Sequence, residues 1–91
     1  MDITPGISID TAIEAVATLL ADRIKLSNKT TDTATKIRLE KEIQMLQRDR
    51  ELIYGEGSKD DFNYVMDKVD TKYCPIIKNA FLTRTPIGNL L

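Results

Sequence analysis

Arg50 is the residue whose type and position raise the first chemical question. It lies within IRLEKEIQMLQRDRELIYGEG, residues 37–57, where the apolar spacing reserves its position for a helix packing face. A guanidinium there has two uses. Its aliphatic stem can cover Ile13 while its head reaches Asp10 or Glu14, or its planar fork can grip a carboxylate or phosphate held between subunits. Arg48, Lys25, Lys29 and Tyr54 are the companions to consider for such an anionic ligand or interface. Their spacing does not gather them into one pocket.

Other reactive groups are sparse. The chain has no His and one Cys, so a Ser-His-Asp triad, a Cys-His pair and imidazole zinc sites are excluded. Cys74 reads as a small residue before a kink. Asp60 with Asp61, and Asp67 with Asp70, are the carboxylate pairs that general acid–base or hard-metal chemistry would use. The first reads more simply as a helix amino terminus, the second as a solvated face of alternating charge. Tyr54, Tyr64 and Tyr73 read as core-edge residues with their hydroxyls in water. No phosphate-cradling glycine motif occurs, since GEG at 55–57 is too short. The expectation is a protein without enzymatic activity, metal site or cofactor.

The second lead is KYCPIIKNAFLTRTPIGNLL, residues 72–91. Residues 71–91 carry three cations and no acid, a balance of +3, whereas residues 1–70 hold ten Lys and Arg against fourteen Asp and Glu, a balance of −4. Ile76, Ile77, Lys78, Phe81, Leu82, Arg84, Leu90 and Leu91 form the candidate partner-docking set. Two roles fit them: covering the body of the same chain, or meeting the acidic surface of a neighbour.

The elements that must position these groups are helical. Charged residues make up 30% of the 91 and aromatics 5%, with four Gly and three Pro, which suits a small aliphatic all-α domain. Residues 1–8 form an extended lead. Ile9, Ile13, Val16, Leu20 and Ile24 place an apolar stripe on a helix over 9–28. Leu39, Ile43, Leu46, Arg50 and Ile53 place another on a helix over 32–54, stopped at Gly55. Set antiparallel, the two stripes meet throughout, with Ile13 opposite Arg50. Glu14 then faces Arg48, Asp22 faces Lys41 and Arg23 faces Glu40. Ser58 and Asp61 open a third helix over 59–82, broken near 74–75 by Pro75, with Phe62, Val65, Met66, Val69 and Tyr73 on its buried face. Residues 83–91 form a short apolar-basic tail. The fold class is therefore an antiparallel helical hairpin plus a kinked third helix, in one domain.

Function follows only in outline. The leading expectation is a non-enzymatic interaction protein that self-associates as a homo-oligomer, or binds a protein partner, through residues 75–91. An alternative is a small phage-type or host-modulating protein that sequesters an anionic ligand, such as a nucleotide signal, at subunit junctions. A DNA-binding three-helix module ranks third, because a pI near 5.3 disfavours nucleic-acid binding. Neither a signal peptide nor a membrane span is supported: the first cation is Arg23, and charges interrupt the most apolar stretch. The expected compartment is the cytoplasm, or the host cytoplasm for a phage product.

Overall fold

A computed structural model describes residues 6–91, which are helical throughout apart from their connections and the carboxyl segment. Helix α1 spans Ile9–Lys29 and helix α2 spans Thr33–Ile53. They pack as a hairpin, and a bent third helix follows. The bent helix comprises α3 (Lys59–Lys68), a π turn (Val69–Tyr73) and α4 (Cys74–Thr83). The extended lead assigned to residues 1–8 lies largely outside the described residues.

Local chemistry sets the boundaries. The Ser8 hydroxyl accepts from the Thr11 amide at 3.1 Å, and the Asp32 carboxylate accepts from the Thr35 amide at 2.9 Å. Each satisfies an amide that the first helical turn leaves unpaired. At the far end of α2, Gly55 takes φ 89°, which an L side chain resists, and lets the chain reverse. Ser58 and Asp61 form a reciprocal capping box at the start of α3.

The hairpin is the expected one, but both helices are rotated about their axes. Ile9 and Ile24 are exposed, while Ala12, Ala15, Val16, Leu19, Leu20, Arg23 and Ser27 are buried on α1. On α2 the inward positions are Leu39, Glu42, Leu46, Asp49, Leu52 and Ile53. Arg50 is therefore not the polar residue in the packing face. It is exposed, and its neighbour Asp49 takes that place. Small residues at 12 and 15 let the helices approach, and charges that find partners are drawn inside. The anticipated flanking pairs change accordingly. Arg23 is buried against Glu42 rather than facing Glu40, and Arg48 pairs along its own helix with Glu51 at 3.2 Å.

The bent helix buries Val65, Met66, Val69 and Tyr73 against the hairpin, with Phe62 half-buried beside them. It bends without breaking at Pro75. The Cys74 amide reaches the Val69 carbonyl five residues back, a widened turn. The proline ring, which would clash with the carbonyl four residues earlier in an α-helix, is accommodated just after that widening. After Arg84 the chain turns back over the hairpin. Leu90 is fully buried within the core and Ile87 packs against it.

Candidate functional site

Two regions carry chemistry beyond ordinary packing. The first is the outer face of α4. Of its ten residues, Ile76, Ile77, Ala80, Phe81 and Leu82 are apolar, yet none on the helix is buried. Phe81 is 82% exposed and Leu82 68%. Beside them lies an open groove of about 340 Å³ between α1 and α4, floored by Ala15, Cys74 and Ile77 and edged by Thr11, Thr18 and Phe81. Glu14 from α1 and Lys78 from α4 also line it, so the groove holds one acid and one base. Cys74 is half-buried at its floor. Its thiol is pushed above the usual range by burial and then by the Asp70 carboxylate, which leaves it protonated and a poor nucleophile at neutral pH.

The second region is a pair of buried ionic clusters on α2. Asp49 accepts from the Tyr73 hydroxyl and from Lys68 Nζ, the latter at 3.1 Å. Lys68 Nζ also lies 5.2 Å from the Tyr73 ring centroid and 5.9 Å from that of Tyr64. The Tyr73 phenol is pushed well above its ordinary range, first by burial and then by the Asp49 hydrogen bond and charge. Two turns earlier, Arg23 (1% exposed) meets Glu42 (0%) at 3.3 Å. Arg23 also binds the Asp22 carboxylate at 2.6 Å. Its remaining N–H groups donate to the carbonyls of Ile87 at 2.9 Å and Gly88 at 3.0 Å. Glu42 accepts from the Leu90 amide at 3.3 Å, and Lys72 donates to the Leu90 carbonyl at 2.7 Å. Arg38 Nε lies 3.8 Å from Glu42 and makes no hydrogen bond there.

The candidates for an anionic-ligand site are dispersed. Lys25 and Lys29 stand near the carboxyl end of α1, Arg50 and Tyr54 at the carboxyl end of α2. In an antiparallel hairpin those ends are opposite, about 27 Å apart for some 18 residues at 1.5 Å each. Arg48 is engaged with Glu51. The partner-docking set divides in two. Lys78, Phe81, Leu82 and Arg84 are exposed, and Ile76 and Ile77 are half-buried on the same helix. Leu90 is a core residue here, with Leu91 exposed beyond it. Tyr73 is not a core-edge residue with a wet hydroxyl; it is fully buried on Asp49.

Sequence reasoning missed Arg23, Glu42 and Asp49. A signal existed: Leu39, Leu46 and Ile53 recur every seven residues on α2, and Glu42 and Asp49 occupy the intervening positions of that repeat. Among the described residues, no three His, Cys, Asp or Glu side chains gather as a metal ion would require. No helix among them is long and apolar enough to cross a membrane. Comparison with protein-family models, curated proteins and solved structures finds no match for this chain.

Proposed function

We propose that this protein is a non-enzymatic interaction module that self-associates through the outer face of α4 and the groove between α1 and α4. The observation that carries this reading is a helix half composed of apolar residues with none of them fully buried, Ile76 and Ile77 packing partly against the core and Phe81 and Leu82 standing exposed. Contiguous exposed apolar surface of this kind is the usual mark of an interaction face. Burying one such aromatic contributes about 2–3 kcal/mol.

The occupant that fits is a second copy. A two-fold axis places the same surface on both sides. The groove carries Glu14 and Lys78 together, so a symmetry-related copy sets Lys78 against the partner subunit's Glu14 and the reverse. Phe81 then has an apolar groove to enter. Lys78 and Arg84 at the rim favour a neighbour with a net acidic body, which this chain supplies.

Sedimentation equilibrium or light scattering across a concentration series tests the idea. The expected result is a dimer whose dissociation constant rises at least tenfold with Phe81→Glu, with the helical circular dichroism unchanged. A wild-type chain that stays monomeric to millimolar concentration would sink the reading.

A further inference from the structure

The carboxyl segment is held in an unusual way for a packed terminus. Four main-chain groups between Ile87 and Leu90 are bound by charged side chains: two carbonyls by Arg23, an amide by Glu42 and a carbonyl by Lys72. Only one side chain of the segment is fully buried, that of Leu90, with Ile87 half-buried beside it. Gly88 and Asn89 face outward, and a Cβ built at Gly88 meets nothing within 4 Å. Recognition of extended main chain plus one or two side-chain pockets is how proteins bind linear peptides.

Two further observations indicate that the occupant can leave. Arg23 and Glu42 are nearly solvent-free beneath the segment, and burying charges costs hydration that water restores once the cover lifts. The segment also hangs from a strained joint: Arg84 takes a left-handed φ of 54°, disfavoured for an L side chain, and Thr85 and Pro86 after it are exposed. Strained, short hinges favour exchange of a terminal segment between copies.

We propose that the cleft formed by Arg23, Glu42 and Lys72 is a peptide-binding site for a non-helical Ile-Gly-X-Leu segment, and that residues 85–91 of a second copy occupy it in trans, in exchange for the segment seated there in cis. The identical sequence of that copy guarantees the same main-chain pattern and the same buried leucine. The site is separate from the α4 face, so either can hold without the other.

The test uses full-length chains that all carry Phe81→Glu, which removes the α4 contact. A fluorescent peptide of residues 84–91 is titrated by anisotropy into a Leu90→Ala chain, whose own segment is weakened, and into the chain with Leu90 intact. Saturable binding to the Leu90→Ala chain is expected, with affinity at least about tenfold weaker where the intact segment competes at high effective concentration. Adding Lys72→Met should lower peptide affinity by roughly tenfold, the loss of one charge-assisted hydrogen bond. A peptide with alanine in place of the leucine should not bind. Unlabelled chain with Leu90 intact should displace the peptide, since it offers the same segment in trans. Equal binding with and without an intact segment would place the peptide elsewhere and overturn the site. Failure of the intact chain to compete would overturn the second copy as ligand source. If Leu90→Ala proves unfolded by circular dichroism, nitrogen-15 spectra of the intact chain at millimolar peptide decide instead. A new set of mobile signals for residues 85–91 is expected, and their absence overturns the proposal.

Discussion

Glu42 and Asp49 stand two turns apart on one face of α2, both buried and both facing a cation, yet they hold different things. The partners of Asp49, Lys68 and Tyr73, come from the bent helix, which is committed to the core through Val65, Met66 and Val69. Glu42 faces Arg23 across the hairpin, has Arg38 Nε 3.8 Å away on its own helix and, above it, meets the main chain of the carboxyl segment. One carboxylate locks two regular elements together. The other sits beneath a cover joined to the fold by a single strained residue. Position on a helix and burial are therefore insufficient to rank a buried ion; what matters is whether its partner can move aside and let water in.

The largest expected effect is at the locked site. Asp49→Ala strands the Tyr73 hydroxyl in the core and leaves the part-buried Lys68 ammonium without its carboxylate, and breaking a buried pair on one side costs about 3–5 kcal/mol. Urea denaturation measures it, and Asp49→Asn, which keeps an acceptor, should lose less. Glu42→Ala should cost less, about 1–2 kcal/mol, because the segment can lift and hydrate Arg23. A loss at Glu42 equal to that at Asp49 would erase the distinction between the two sites.

Alkaline pH sharpens the contrast next. The folded state holds the Tyr73 proton more tightly than the unfolded chain does. Its contribution is thus intact below the ordinary phenol value of about 10 and is lost as pH rises beyond it. Melting curves from pH 8 to 11 should fall more steeply for the wild type than for Tyr73→Phe, which has no phenolic proton to release. The difference between the two proteins is the quantity to read. The smallest effect is at the joint. Arg84→Gly removes the left-handed strain and should slow hydrogen exchange at the Leu90 amide, by no more than about 1 kcal/mol.

Legibility in the sequence follows the same division. The caps at Ser8 and Ser58 and the stop at Gly55 depend on neighbours three or four residues away, and local spacing reveals them. The buried face of the bent helix was also readable from Phe62 through Tyr73, because apolar side chains dominate it. The hairpin was readable as a pairing but not in its rotation. Apolar counting favoured Ile13 and Ile24 over Ala12 and Arg23, and Arg50 over Asp49. What turns the helices is the satisfaction of Arg23, Glu42 and Asp49 by residues 19 to 65 positions away; the seven-residue repeat on α2 marks the positions of Glu42 and Asp49, but no local pattern encodes their partners. The seating of the carboxyl segment was illegible for a further reason: most of its polar contacts use backbone atoms, which every residue possesses.

The widened turn at Val69–Tyr73 also sets the azimuth of everything downstream. One additional residue in a helical turn rotates the following helix by about 100° relative to the preceding one. The compass bearing of Phe81 is therefore dialled by a five-residue stretch that ends eight positions before it. Deleting Thr71 would swing that ring about a quarter-turn around the helix axis, so insertions and deletions there would re-aim the exposed face without altering a single residue upon it.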